Sequence, residues 1–328
     1  MKKRIILLGG AGFIGHNLAL KLKKKFDVFV VDSLQVNNIG EHSLKSSKNQ
    51  NLYINLLNQR LDLLKQNNIP IQIVDARDYT LLTSFFNSIK PHIVVHLAAV
   101  AHAKKANKDP YSTIDHSMRT LENVLDIIRG RNIHLIYFSS SMVYGNFKKK
   151  KVTELDRCDP LGIYGTLKFS GEKLVQAYQQ VFKSTYTIIR PSALYGPRCV
   201  SGRVGQVFIE KALKKENLEI EGDGNDALDF TYVDDLIQGI NLVIDNPKAV
   251  NQIFNITYGN AAKIKVLADL VTSYFPKIKV SFKKRDVLMP ERGTLSILKA
   301  KKELGYKPKF NLAKGIHEYI SWYKSLNL

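Results

Sequence analysis

The chain has 328 residues, enough to bury a full hydrophobic core in one large or two moderate domains. Hydrophobic residues make up 45% and charged residues 24%, the balance of a globular protein, and no apolar run is long enough to span a bilayer. The formal charge is +20, but the lysines are spread along the chain, with short clusters at 23–25 and 148–151 and no zinc-finger or RNA-binding signature, so solvated basic faces are expected rather than a nucleic-acid partner.

Residues 4–8 form a short apolar run behind Met1-Lys2-Lys3-Arg4. Gly9, Gly10, Gly12 and Gly15 break the stretch and no small-residue cleavage site follows, so it reads as a buried strand entering a turn, not a signal peptide. A helical pattern covers 17–25, and a second strand, 26–32, ends in Asp32. The segment 33–70 is long for one crossover; its first half is polar and reads as a loop, while 52–65 has helical periodicity in Leu52, Leu56, Leu57, Leu61 and Leu64. Residues 71–74, 92–96, 133–138 and 185–190 are further strands, with helical stretches between them. This alternation predicts an α/β fold with a parallel, doubly wound sheet of Rossmann type.

After Arg190 the alternation loosens and Pro191, Pro197, Pro247, Pro276, Pro290 and Pro308 punctuate shorter elements, which predicts a smaller, interleaved C-terminal substrate lobe. The expected division is 1–190 plus about 230–258 for the dinucleotide domain, and about 191–229 with 259–328 for the lobe. Cys158 and Cys199 are the only cysteines; they give no metal spacing and no disulfide framework, which suits a reducing cytoplasm.

Two motifs carry chemistry. The spacing Gly9-x-x-Gly12-x-x-Gly15 lies between a strand and a helix, where small residues let a pyrophosphate approach the amides of the helix N-terminus. Asp32 can accept hydrogen bonds from ribose hydroxyls and would repel a 2′-phosphate, so NAD is expected rather than NADP. Tyr164 and Lys168 are four residues apart and share a helix face, which would bring an ammonium beside a phenol and lower its pKa. With the serine run Ser139-Ser140-Ser141 upstream, this is the outline of an alcohol-oxidising site.

The ordered set Gly9–Gly15, Asp75-Ala76-Arg77-Asp78, His96-Leu97-Ala98-Ala99, Ser139 through Gly145, Tyr164 through Lys168, Arg190-Pro191 through Pro197 and Asp229 through Asp235 resembles the extended short-chain dehydrogenase/reductases. Within these, the chain is similar to the NAD-dependent epimerase/dehydratase family, whose members mostly modify nucleotide sugars. The resemblance implies that Gly9, Gly12, Phe13, Ile14 and Gly15 hold the cofactor with Asp32, that Asp75 and Ala76 hold adenine, and that Leu97, Ala98 and Ala99 line the cofactor. It places the catalytic serine at Ser140, with Ser139 nearer the cofactor, Tyr164 as base and Lys168 on the nicotinamide ribose. Ser140, Ser141, His102, Arg203 and Arg292 are the substrate candidates, the two arginines for phosphate. His96 reads as a hydrogen-bonded packing residue. No metal is expected.

The chain departs from the family pattern at Leu228, where many relatives have arginine, and at Ala193, where many have asparagine. Relatives that dehydrate or decarboxylate often carry Asp-Glu or Glu before Val-Tyr-Gly, whereas this chain has Ser141-Met142, which cannot transfer a proton in that role. Inversion at C4 through a transient 4-keto sugar is therefore the leading expectation. A dehydrogenase, a dehydratase, and an NAD-binding sensor on the same fold remain alternatives. Apolar stripes at 110–130 (Leu121, Val124, Leu125, Ile128) and 162–182 (Leu167, Leu174, Val175, Tyr178) suit either packing on the sheet or a homodimer interface.

Overall fold

A computed structural model describes residues 2–44 and 49–326. Met1, Asn327 and Leu328 of the expected lobes, and 45–48 of the expected loop, lie outside the described residues. Seven parallel strands form the central sheet: β1 Arg4–Leu8, β2 Asp27–Asp32, β3 Ile71–Ile73, β4 Ile93–His96, β5 His134–Phe138, β6 Tyr186–Arg190 and β7 Gln252–Asn255. Their spatial order is β7-β6-β5-β4-β1-β2-β3, so the chain reverses direction between β1 and β4. A crevice opens at the carboxyl ends of the strands at such a switch point.

The longer helices are α1 Phe13–Leu22, α2 Gln50–Gln66, α3 Tyr79–Ile89, α4 Thr120–Ile128, α5 Gly162–Phe182, α6 Val204–Leu213, α7 Val233–Val243, α8 Ile264–Tyr274 and α9 Leu312–Lys324. Alternate strand residues go to opposite faces of the sheet, as a period of two requires. Ile5, Leu7, Val28, Val30, Ile136 and Ile189 pack with α1 and α7. Ile6, Leu8, Val31, Leu135, Tyr137 and Ile188 pack with α3, α4 and α5. Both faces are covered, which is why the strands read as nearly continuous apolar runs.

A third cluster joins Tyr195, Phe208, Ile209, Leu218, Ile220, Leu267, Val271, Ile316, Tyr319 and Tyr323, drawn from α6, α8, α9 and short strand pairs after Arg190. Among these pairs, Leu218–Glu221 lies parallel to Val280–Lys283, and Ala227–Leu228 antiparallel to Ala262–Lys263. Asp229 stitches this region: its carboxylate accepts from Leu295 N at 3.0 Å, Gly259 N at 3.0 Å and Thr257 Oγ1 at 3.1 Å.

Two expectations need correction. The polar half of 33–70 is not all loop, because Ile39–Leu44 is a short helix ahead of α2. The helix expected over 110–130 is broken into Pro110–Ile114, a wide π turn Asp115–Arg119, and α4. Thr120 Oγ1 bonds back to His116 O at 3.0 Å and Ser117 O at 3.3 Å, which competes with the helical ladder and opens the turn. Leu121, Val124, Leu125 and Ile128 are fully buried within this chain, so that stripe serves the sheet. In the second stripe Val175 is buried and Leu174 is exposed.

Candidate active site

Two neighbouring cavities open at the switch point. The smaller, about 140 Å³, is lined by Gly9, Gly12, Phe13, Ile14, Gly15, Asp32, Asp75, Ala76, Leu97, Ala98 and Ala99. Every cofactor residue expected from the glycine turn and the β2 and β4 ends is thus brought to one place. The turn requires glycine on steric grounds: a Cβ on Gly9, whose φ is +78°, would meet Ala98 N at 2.8 Å, and one on Gly15 would meet Gly10 Cα at 2.5 Å. This bare backbone cradle, facing the N-terminus of α1, fits a dinucleotide pyrophosphate.

Asp32 accepts from Ala11 N at 3.0 Å and Leu34 N at 2.8 Å, which fixes its carboxylate at the rim. Burial pushes its pKa up, against the opposing pull of those amides and of Arg60. Asp75 is held by Arg77, whose Nη2 lies 2.6 Å from it, and this pairing holds the carboxyl below its ordinary range. Asn123 Nδ2 bonds both Ala76 O and Arg77 O at 2.9 Å, fixing the loop that carries Asp75 and Ala76.

The larger cavity, about 410 Å³, is lined by Ser140, Ser141, Met142, Tyr164, His102, Arg203 and Arg292, so all the substrate candidates converge there. Leu228 and Ala193 are in its wall, and Arg203 lines both cavities. Arg203 occupies the residue just before α6, and its side chain makes no capping bond to that helix. Neither Arg203 nor Arg292 is within ion-pair distance of a described carboxylate, and the Nε of each is buried without a hydrogen-bond partner.

Tyr164 sits near the start of α5, which is pressed to the sheet through Gly171: a Cβ there would meet Tyr137 Oη at 2.1 Å. Burial pushes the Tyr164 phenol above its ordinary value, while Arg203, the Ser140 hydroxyl and Arg292 pull it down. The cations acting on the phenol are therefore arginines from the second half of the chain. Lys168 was expected in that role, but its Nζ donates to Phe138 O at 2.7 Å and lies over the Tyr137 ring at 5.3 Å. Burial lowers Lys168 to about 8, with Glu172 opposing.

Ser139 lines neither cavity; its hydroxyl donates to Glu172, which also accepts from Arg190 Nε at 2.9 Å and Nη2 at 2.6 Å. Arg190 Nη1 continues to Tyr144 Oη at 2.9 Å. Tyr164, Lys168 and Glu172 recur every four residues on one face of α5, and only the first two drew attention in the sequence. The third was legible in the same spacing.

His96 is buried beside Tyr137 at 5.9 Å between ring centroids, with neither ring nitrogen in a hydrogen bond of ordinary geometry. It packs as expected, without the expected bond. Burial and Lys168 lower it to about 3, so it is neutral at physiological pH. His102 is likewise lowered to about 4 by burial and Arg203. No described cluster of His, Cys, Asp or Glu could hold a metal ion, and no helix among the described residues is long and apolar enough to cross a membrane.

A parallel sheet with a glycine cradle, a buried acid at the β2 end and a tyrosine–lysine face beside a second cavity defines a dinucleotide-dependent enzyme of the short-chain dehydrogenase/reductase type. The chain belongs to the NAD dependent epimerase/dehydratase family, whose sequence pattern matches residues 5–257. It is 31% identical to a putative UDP-glucose 4-epimerase of Methanocaldococcus jannaschii over 98% of this chain and 99% of that one. It is 29% identical to UDP-glucuronate 4-epimerase 4 of Arabidopsis thaliana over 98% of this chain and 75% of that protein. The structure of UDP-glucuronic acid 4-epimerase from Bacillus cereus in complex with UDP-glucuronic acid and NAD superposes with a TM-score of 0.88 at 26% identity, covering 98% of this chain and 99% of that one.

Proposed function

We propose that the protein inverts C4 of a UDP-linked sugar with NAD as a recycled cofactor. The observation that carries the reading is the convergence of Tyr164 and Ser140 with Arg203 and Arg292 in one cavity adjoining the dinucleotide cradle. Bound NAD supplies a hydride acceptor and donor, and its positively charged nicotinamide further favours the phenolate.

Tyr164 takes the proton of the C4 hydroxyl, which Ser140 orients, and returns it after the sugar has turned over. Lys168, whose ammonium is fixed by the Phe138 carbonyl at the end of β5, would hold the nicotinamide ribose. Arg203 and Arg292 hold negative charge near the tyrosine, both that of the phenolate and that of the sugar nucleotide. Ser141 and Met142, beside Ser140 in the cavity wall, place no acid or base at their own positions, which suits a reaction ending in hydride return rather than elimination.

The relatives act on UDP-glucuronate or UDP-glucose by name. Two arginines without carboxylate partners beside the reacting tyrosine favour the sugar that brings its own carboxylate, a UDP-hexuronate. In this reading 191–229 and 259–328 form the substrate lobe, the enzyme works in the cytoplasm, and the exposed face of α5 around Leu174 meets a second copy in a homodimer.

A panel of UDP-, GDP-, CDP- and dTDP-sugars, followed by proton NMR and NADH absorbance, tests this. A C4 stereoisomer of a UDP-sugar without accumulating NADH is expected, with UDP-glucuronate giving the highest kcat/KM. Accumulating NADH or a 4-keto-deoxy product would replace it with a dehydrogenase or dehydratase, and silence across the panel with NAD bound would favour a sensor.

A further inference from the structure

Arg60 has no counterpart among the expected site residues. It lies on α2, the helix inserted between β2 and β3, and at 1% exposure it is among the largest fully buried side chains of the protein. Nε and Nη2 both donate to the Arg198 carbonyl, at 3.0 and 2.5 Å. Nη1 has no hydrogen-bond partner, and no described carboxylate lies within ion-pair distance of the guanidinium. Burial lowers its pKa to about 10, so it stays charged at neutral pH.

A buried cation with one carbonyl for company is strongly unfavourable unless an anion completes it. The nearest fixed charges do not supply one: Asp32 attracts Arg60 at a distance but spends its oxygens on Ala11 N and Leu34 N, and Arg198 adds repulsion. Arg198 Nε in turn donates to His16 Nε2 at 3.1 Å, and His16 is kept neutral by burial.

Arg60 lines the cofactor cavity together with Gly12, Phe13 and Ile14 at the N-terminus of α1, and with Val200 and Ser201 of the loop it anchors. Adenine and nicotinamide carry no negative charge, and the ribose hydroxyls are suited by Asp32. The one dianionic part of NAD is its pyrophosphate, and it belongs at that helix N-terminus.

We propose that Arg60 is a ligand of the cofactor's pyrophosphate, supplied by the inserted helix α2. Through its grip on the Arg198 carbonyl it also ties the loop at 198–201, the approach to Arg203, to occupancy of the cofactor site. Pyrophosphate binding and the position of the substrate-side arginine are thereby coupled.

Calorimetric titration of the full-length protein with adenosine, AMP, ADP, ADP-ribose and 2′-AMP, in the wild type, Arg60→Met and Arg60→Lys, tests this. Arg60→Met should weaken ADP and ADP-ribose by roughly ten- to hundredfold while leaving adenosine within about threefold, and Arg60→Lys should fall between. An equal loss for all five ligands would make Arg60 a loop anchor only, no loss would remove it from the site, and a loss confined to 2′-AMP would move it to the ribose edge; each overturns the proposal. If Arg60→Met does not fold, a crystal structure of the wild-type NAD complex decides. A guanidinium nitrogen about 3 Å from a pyrophosphate oxygen supports the proposal, and a guanidinium bonded to Arg198 O alone overturns it.

Discussion

Glu172 on α5 and Arg190 at the end of β6 form a two-bond ion pair, with Nε at 2.9 Å from one carboxylate oxygen and Nη2 at 2.6 Å from the other. Both side chains are at most 3% exposed. The pair locks the helix bearing Tyr164 and Lys168 to the sheet, and its free valences reach Ser139 and Tyr144. Breaking a buried pair by removing one charge strands the other. Glu172→Gln is predicted to cost about 3–5 kcal/mol in urea unfolding, and the double variant Glu172→Gln/Arg190→Met should recover part of that loss.

Tyr164→Phe removes the proton acceptor and one oxygen while keeping the ring that fills the wall of the cavity. Turnover should fall by roughly 10²–10⁴-fold with NAD affinity and thermal midpoint nearly unchanged. A variant within tenfold of the wild-type rate would mean that the tyrosine is not the base.

Lys168 links catalysis to stability through pH. Its folded pKa, about 8, is below the ordinary 10.5, so between those values the unfolded chain binds more protons than the folded one. Stability contributed at this position therefore rises with pH across that window, and is lowest below about 8, where the buried ammonium stays charged. The unfolding free energy of the wild type relative to Lys168→Met should increase by ~3 kcal/mol from pH 7 to pH 10.5. A flat difference would show that the ammonium is not desolvated.

Much of this was legible in the sequence because backbone geometry dictates residue type. Gly9 and Gly15 stand where a Cβ collides, and the apolar runs of β1 and β6 follow from burial on both faces. What the sequence hid depends on contacts between distant segments. Nothing around Arg60 in Leu57-Asn58-Gln59-Arg60 marks it as buried, because its partner carbonyl is 138 residues away. The helical spacing of Tyr164 and Lys168 suggested direct contact, but nothing in it pointed to the Phe138 carbonyl, 30 residues upstream, as the ammonium's partner. The cations that act on Tyr164 come from Arg203 and Arg292, which no local pattern connects to it.

That long-range pairing has a kinetic signature. Arg203 and Arg292 lower the phenol's pKa, so removing either favours the protonated form at a given pH. Arg203→Leu and Arg292→Leu should each move the acid limb of the kcat profile to higher pH, by a larger step in the double variant. A raised KM with an unmoved limb would confine both arginines to binding.

Ala193 holds a left-handed backbone, φ +35°, in the wall of the substrate cavity. An L residue with a Cβ is strained there. Ala193→Gly is predicted to raise stability by ~0.5–1 kcal/mol, since strain relief outweighs the added freedom of the unfolded chain. A loss in thermal unfolding would show that the strain is relieved by neighbouring contacts.

The central claim is that hydride leaves C4 and returns to the same carbon from the opposite face. UDP-glucuronate carrying deuterium at C4, incubated with enzyme and NAD in ordinary water, reports on it most directly by NMR and mass spectrometry. The account predicts a 4-epimer that keeps the deuterium at C4, with none released to solvent or accumulated as deuterated NADH. Epimer with hydrogen at C4, or label trapped on the cofactor, would contradict it.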